Sequence, residues 1–179
     1  ANQIALFQLS GGTTGLPKVA PRLHEEYVCN SRLWAERLDL SSKSVVLYPL
    51  PLMHNAGIAL ALQPVLLTGG CLVLTPSADV EVIHEQLIAH RPDVMPLVPP
   101  AVAIRMLDSG IFSRDDMACV RDFVVGGQRL PVEIAERLSE ELGISVRQMF
   151  GMAEGMFLLT PADADEALRH HTIGSPLSA

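Results

Sequence analysis

The stretch from residue 71 to 98, CLVLTPSADVEVIHEQLIAHRPDVMPLV, holds two short apolar runs on either side of an amphipathic segment. The runs Cys71–Leu74 and Val94–Val98 are aliphatic and bounded by turn-forming residues, which predicts two strands. The segment Val80–His90 between them has helical periodicity. Its apolar face consists of Val80, Ile83, Leu87 and Ile88. A strand, a helix and a second strand in this order predict a crossover unit with parallel strands.

The same alternation extends over most of the chain. Further strands are predicted at 4–9, 45–48, 123–125 and 145–150, and further helices at 23–38, 54–67, 131–142 and from Pro100 onward. This pattern predicts an α/β fold with a mostly parallel sheet flanked by helices. Ligands bind such sheets in loops beyond the carboxyl ends of strands. The loops of interest are 10–18, 126–129 and 150–155, whereas 161–171 is expected to be an exposed connector.

Composition excludes several classes of protein. The chain has 179 residues, a net charge of −7 and 4% aromatic residues, so a nucleic-acid-binding surface is not expected. Its three cysteines are widely separated, which argues against a disulfide framework or a zinc site and fits a cytoplasmic protein. Neither a signal peptide nor a membrane span is expected. Because the chain lacks an initial Met and stops after GSPLSA, we expect it to be a piece of a longer protein.

The loop at 10–18, SGGTTGLPK, has the residues of a phosphate-binding loop. Its glycines permit a tight turn, its hydroxyls and backbone N–H groups can surround an anion, and Lys18 adds a positive charge. It is not a Walker A loop, because Pro17 rather than glycine precedes the lysine. The alternative interpretation is a surface turn rich in glycine and threonine.

Three other segments carry polar or glycine residues at positions typical of sites. VGGQRL at 125–130 is either an open backbone edge for a flat ring or a plain turn before a helix. FGMAEG at 150–155 places Glu154 among apolar neighbours, either as a ligand of a hard cation or as a helix-start residue. In PLMHN at 51–55, His54 is either structural or functional, and no second histidine supports zinc.

These motifs, in this order, resemble those of the adenylate-forming superfamily, and most closely those of stand-alone aryl acid–AMP ligases. The matching segments are QLSGGTTGLPK, PLMHN, LVPP, VGGQRL, FGMAEG and TIGSPLS. The resemblance covers nearly the whole chain. It implies that residues 1–179 form the central part of the large N-terminal adenylation domain, with the C-terminal lid domain outside the chain. The fragment alone is then expected to be impaired or inactive.

The resemblance also implies roles for individual residues, with ATP and Mg²⁺ as cofactors. Lys18, His54 and Glu154 are implied in catalysis, and Glu154 as the metal ligand. The nucleotide would be bound by Ser10, Gly11, Gly12, Thr13, Thr14, Gly15, Lys18, Gly127, Gln128, Arg129, Phe150, Gly151 and Met152. The acid would be bound by His54, Asn55, Ala56, Leu60, Gly126, Met149 and Phe157.

The implied reaction joins a carboxylic acid to AMP with release of pyrophosphate. The acyl group then passes to a phosphopantetheine thiol of an aryl or peptidyl carrier protein, or to CoA. Ala56 and Leu60 stand where catechol-activating relatives usually have Tyr and Ser, which favours a less hydroxylated aryl or heteroaryl acid. Alternatives are an amino-acid-activating adenylation domain, disfavoured by Asn55 where such domains have Asp, an acyl-CoA ligase, or a non-catalytic nucleotide-binding module.

Overall fold

A computed structural model describes residues 3–10 and 17–177 of the chain. The first two strands, β1 (Ile4–Ser10) and β2 (Lys18–Leu23), form an antiparallel hairpin in which Ser10 lies opposite Lys18. β2 was not predicted, because Pro21 and Arg22 interrupt the apolar pattern. The predictions for Gly11, Gly12, Thr13, Thr14 and Gly15, and for the side chain of Ser10, lie outside the described residues.

A second sheet has seven strands in the order β4-β3-β5-β6-β7-β8-β9. They are β3 (Val45–Tyr48), β4 (Cys71–Leu74), β5 (Val94–Val98), β6 (Asp122–Gly126), β7 (Val146–Gly151), β8 (Phe157–Leu159) and β9 (Ser175–Pro176). The first five in this order are parallel, and β8 and β9 are antiparallel to their neighbours. The predicted mostly parallel α/β fold is confirmed. The order reverses between β3 and β5, which creates a switch point of the kind where ligands bind.

Helices cover both faces of this sheet. They are α1 (His24–Arg37), α2 (Gln63–Thr68), α3 (Val80–His90), α4 (Pro100–Ser109), α5 (Arg114–Met117), α6 (Val132–Leu142) and α7 (Glu166–His171). The predicted buried helix near 54–67 is present, but its middle, Gly57–Leu62, is π-helical. Gly57 lets this segment approach the preceding turn, since a Cβ there would lie 2.4 Å from the Leu52 carbonyl oxygen.

Two hydrophobic clusters lie on opposite faces of the sheet, since successive strand residues alternate between them. One contains the inner faces of α3, α4 and α6, and the other contains Trp34, Tyr48 and Leu60. Val80, Ile83 and Leu87 are buried as predicted, but Ile88 is 44% exposed. The apolar face of α3 is therefore narrower than its sequence indicates.

The segment 161–171, predicted to be an exposed connector, is mostly exposed, but it also contains a helix and a buried histidine that were not predicted. This segment contains α7, whose N-cap Asp165 accepts a hydrogen bond from the Leu168 N–H at 2.8 Å. His170 is buried, and Gln148 Nε2 donates to the carbonyls of Arg169 and His170 at 2.8 and 3.1 Å. The segment is packed because β8 and β9 extend the sheet beyond β7. Within 3–10 and 17–177, no helix is both long and apolar enough to cross a bilayer.

Candidate active site

Two adjacent cavities open where β5, β6 and β7 end. The larger cavity has a volume of about 540 Å³ and the smaller cavity about 290 Å³. Both are lined by Gly127, Met149, Phe150 and Gly151, which form their common wall. Since the strands are parallel, their carboxyl ends bring residues distant in sequence together at this edge.

The larger cavity gathers most of the residues predicted for the acid. His54, Asn55, Ala56, Met149 and Phe157 line it. So do Met152 and Glu154, and also four residues that were not predicted for the site, namely Gln8, Leu9, Leu97 and Ala153. Asn55 and Phe157 are both buried, while His54 is exposed, and its Nδ1 accepts from the Ala56 N–H at 3.3 Å. One wall is therefore apolar and one corner is polar.

Two residues predicted for the acid pocket line neither cavity. Leu60 is fully buried in the cluster on the α1 face of the sheet, where the π-helical segment turns it toward the core. Gly126 is also buried, and a Cβ there would lie 2.4 Å from Met149 Sδ. The absence of a side chain at Gly126 thus leaves room for the Met149 side chain, and Gly126 affects the cavity through that side chain.

Glu154 lies in the turn that connects β7 to β8. The Met152 N–H donates to the Met156 carbonyl at 3.1 Å, and the Gly155 N–H donates to the Met152 carbonyl at 3.0 Å. Gly155 has a φ of +105°, which favours glycine. The interpretation of Glu154 as a helix-start residue is wrong, because the chain here reverses into an antiparallel strand. Glu154 is also exposed at the cavity rim, not buried among apolar neighbours.

A lone exposed carboxylate constrains how a metal can bind. In the described part of the chain, no three His, Cys, Asp or Glu residues are clustered to hold an ion. Mg²⁺ commonly takes one or two carboxylates together with substrate phosphates and waters. Glu154 therefore fits a magnesium ion that arrives with a nucleotide, and it does not fit a cage made by the protein alone.

Behind the larger cavity lies a hydrogen-bond network that the sequence did not predict. Gln8 Nε2 donates to the Tyr27 hydroxyl at 3.2 Å, and that hydroxyl donates to Asn55 Oδ1 at 2.8 Å. Arg22 Nη1 donates to the same Oδ1 at 3.3 Å, and Asn55 Nδ2 donates to the Met152 carbonyl at 3.3 Å. Burial raises the pKa of Tyr27, so its hydroxyl remains a donor at neutral pH. These bonds leave one N–H of Asn55 for a ligand.

The smaller cavity contains the segment that was predicted to lie against a flat ring of the nucleotide. Gly127, Gln128 and Arg129 form one side, and the turn has φ +87° at Gly127. The other side was missed and consists of Gln148, His170, His171, Thr172 and Ile173. The motif TIGSPLS begins at Thr172 and was among the matching segments. The resemblance could therefore have indicated this wall, but no binding role was predicted for the motif.

Comparison with known proteins agrees with this arrangement. The profile of the family described as AMP-binding enzyme matches residues 1–179. The chain is 40% identical to "Pyochelin synthase PchD" of Pseudomonas aeruginosa (strain UCBPP-PA14), over 99% of this chain and 32% of that protein. It is 34% identical to the "2,3-dihydroxybenzoate-AMP ligase" of Bacillus subtilis (strain 168), over 99% of this chain and 33% of that protein.

A solved structure extends the match to three dimensions. The apo structure of MbtA from Mycobacterium smegmatis aligns with a TM-score of 0.86 and 31% identity, over 98% of this chain and 32% of that one. The chain spans about a third of the length of these relatives. The resemblance found in the motifs is confirmed, and the chain belongs to the family of AMP-binding enzymes.

Proposed function

We propose that the complete protein activates a carboxylic acid with ATP, forming the acyl adenylate and releasing pyrophosphate. The observation that carries this proposal is the common wall of the two cavities, formed by Gly127 and residues 149–151. An acid in the larger cavity and a nucleotide in the smaller one would meet at this wall. The family membership and the names of the relatives support the same reaction.

The reaction needs no nucleophile from the protein, because the carboxylate of the acid attacks the α-phosphorus. The chain instead positions the acid and the nucleotide and stabilises the charge on the phosphates. Lys18 and the hydroxyl and N–H groups of residues 10–15 would hold the phosphates, and residues 127–129 and 150–152 would hold the nucleoside. Glu154 would hold Mg²⁺, which neutralises charge on the phosphates. His54 and Asn55 would orient the acid.

The acid would enter the apolar part of the larger cavity, with Ala56, Met149 and Phe157 around it. The single N–H that Asn55 retains would meet a ring substituent that accepts a hydrogen bond. In the described part of the chain, Glu154 is the only carboxylate that lines this cavity. An amino-acid substrate would need a carboxylate beside its ammonium group, so the lining favours an acid without that cation.

Further elements of the proposal rest on the relatives and on composition. The chain would be the central part of the large adenylation domain, and the acyl acceptor would be a carrier-protein phosphopantetheine or CoA. Relatives named for pyochelin, enterobactin and vibriobactin synthesis support a place in siderophore or antibiotic assembly. Cys29, Cys71 and Cys119 are free thiols, which supports a reducing, cytoplasmic compartment.

Acid-dependent exchange between ATP and labelled pyrophosphate tests the function. The complete protein should incorporate label into ATP only when a suitable acid is present. A panel of aryl, heteroaryl and aliphatic acids would identify the class of substrate. Nucleotide binding without exchange for any acid would instead favour a non-catalytic module.

We predict that 2,3-dihydroxybenzoate is not the best substrate in this panel. Ala56, Leu97 and Phe157 line the cavity and offer no side-chain hydrogen-bond partner, and Leu60 offers none because it lies in the core. Leaving one ring hydroxyl unpaired costs about 1–3 kcal/mol, roughly a tenfold to hundredfold loss in kcat/KM. A less hydroxylated aryl or heteroaryl acid should therefore exceed it in exchange rate. If 2,3-dihydroxybenzoate ranks first, the pocket has been wrongly placed.

A further inference from the structure

Arg22, the penultimate residue of β2, is a buried cation. Its side chain is about 2% exposed, and its Nε donates to Glu26 Oε2 at 3.2 Å. The guanidinium carbon lies 4.7 Å from the centre of the Tyr27 ring. A buried charge is costly unless it is paired and fully hydrogen-bonded, so the remaining donors of this guanidinium need partners.

Those partners belong to two segments of the candidate active site. Arg22 Nη1 donates to Asn55 Oδ1 at 3.3 Å and to the Ala153 carbonyl at 2.8 Å. The turn also packs tightly on this group, since a Cβ at Gly155 would lie 2.2 Å from Arg22 Nη2. One guanidinium therefore contacts both the residue that orients the acid and the turn that carries Glu154.

The same contact fixes the orientation of the Asn55 amide. Arg22 and the Tyr27 hydroxyl both donate to Asn55, so the atom that faces them must be the acceptor Oδ1. The Nδ2 group then points toward the Met152 carbonyl and the cavity. The two donors and the Met152 carbonyl thus favour the same orientation of the amide, in which an N–H faces the acid.

We propose that Arg22 is a positioning residue that holds Asn55 and the Glu154 turn in register, and so links acid binding to metal–nucleotide binding. The inference rests on the proposed function. Arginine suits this role because its planar guanidinium lets Nε donate to Glu26 while Nη1 donates to Asn55 and Ala153, whereas lysine is a compact charge without that fixed geometry. β2 also begins at Lys18, so Lys18 and Arg22 lie on one strand.

Two residues near Arg22 each contact either Asn55 or the turn that carries Glu154. The Tyr27 hydroxyl bonds Asn55 and makes no bond to the turn. Asn30 Nδ2 donates to the Gly155 carbonyl at 3.0 Å and supports the turn alone. Tyr27→Phe and Asn30→Ala therefore separate the two effects that Arg22 combines.

The test compares Arg22→Lys, Tyr27→Phe and Asn30→Ala in the complete protein by pyrophosphate exchange. Arg22→Lys should raise both the KM for the acid and the Mg²⁺ concentration at half-maximal rate, each by about tenfold, as expected for losing one hydrogen bond. Tyr27→Phe should raise only the acid KM, and Asn30→Ala should raise only the Mg²⁺ requirement. Amide hydrogen exchange at Met152 and Gly155, whose N–H groups close the turn, should be faster in Arg22→Lys and Asn30→Ala.

Arg147→Lys is the matched control. Arg147 is also a buried arginine, paired with Asp122 near the amino ends of β6 and β7, away from both cavities. The Arg147→Lys substitution should lower the unfolding temperature without changing the KM for the acid or the Mg²⁺ concentration at half-maximal rate. If Arg22→Lys only lowers the unfolding temperature as Arg147→Lys does, or changes only one of the two constants, the inference is overturned.

The proposed function and this inference fail in different ways. A wild-type protein that shows no exchange with any acid removes the proposed function. The positioning of the turn is then still tested by hydrogen exchange, and unchanged exchange at Met152 and Gly155 in Arg22→Lys overturns it. If Arg22→Lys does not fold, the other two variants still test the inference. It is overturned if Tyr27→Phe alters the Mg²⁺ requirement or if Asn30→Ala alters the KM for the acid.

Discussion

Replacing Glu154 with glutamine should reduce acid-dependent exchange about hundredfold at ordinary Mg²⁺ concentrations and should increase the Mg²⁺ needed for half-maximal rate. Glutamine keeps the shape of the side chain and removes its charge, so it is a poor ligand for a hard cation. Contacts to charged groups contribute about 1.5–3 kcal/mol, roughly a tenfold to hundredfold change, and a metal that is poorly held also leaves the phosphates less neutralised.

The fold should tolerate this change, because Glu154 is exposed in a turn that is held by backbone and by Arg22 and Asn30. The unfolding temperature of Glu154→Gln should therefore match that of the wild type. Glu85→Gln is a suitable control, since Glu85 is an exposed glutamate of α3 that lines neither cavity. A Mg²⁺ titration unchanged from wild type would show that Glu154 is only a turn residue.

The central strands could be predicted to within a residue because of where they lie. β3 and β5 are short apolar runs inside a parallel sheet that is covered on both faces, which gives nearly continuous hydrophobic sequence, and β4 is also an apolar run although it lies at the edge of the sheet. β2, β8 and β9 lack that signal, since β2 belongs to a separate hairpin and contains a proline, β8 has only three residues, and β9 has two residues and lies at the edge of the sheet. Their positions follow from pairing with other strands, which a local pattern does not record.

The edge of the sheet at which the cavities open could be predicted from the sequence, but the hydrogen-bond network around Arg22 that supports them could not. Loops after parallel strands converge, so the loops 126–129 and 150–155 were expected near each other, and the resemblance added His54. Nothing local distinguishes a buried arginine from an exposed one, and Arg22 reaches Ala153 across 131 positions of sequence. The walls that contain Leu97 and His170 were also missed, although the motifs LVPP and TIGSPLS lie at or next to them. In contrast, α7 carried a readable signal in its N-cap residue, Asp165.

Leu60 lies in the core, whereas the resemblance implied a role in binding the acid. That role was implied by the position of Leu60 five residues after Asn55, but the segment Gly57–Leu62 is π-helical, and this changes which side chains face the sheet. Its neighbour Ala56, at the start of the same helix, does line the cavity. Helical phase near a π-turn is set by tertiary packing at Gly57, so it cannot be read from the spacing of residues alone.

Replacing Lys18 with methionine should raise the KM for MgATP and lower kcat/KM for the nucleotide by about tenfold to hundredfold. Lys18 begins β2 opposite Ser10, so it lies where the chain leaves the loop predicted to bind phosphate. The expected size follows from the loss of one charge-assisted contact to a phosphate, about 1.5–3 kcal/mol. The KM for the acid should stay within about twofold, because Lys18 does not line the larger cavity.

The control for this change is Lys43→Met, which removes the same charge at an exposed position before β3. It alters net charge equally and should leave both KM values unchanged, so a general electrostatic effect on ATP would be visible in both variants. Lys18→Arg should recover part of the nucleotide affinity, since it restores charge with a different geometry. Exchange by Lys18→Met with the wild-type KM for MgATP would contradict the phosphate-loop assignment, and equal losses in Lys18→Met and Lys43→Met would assign the effect to net charge instead.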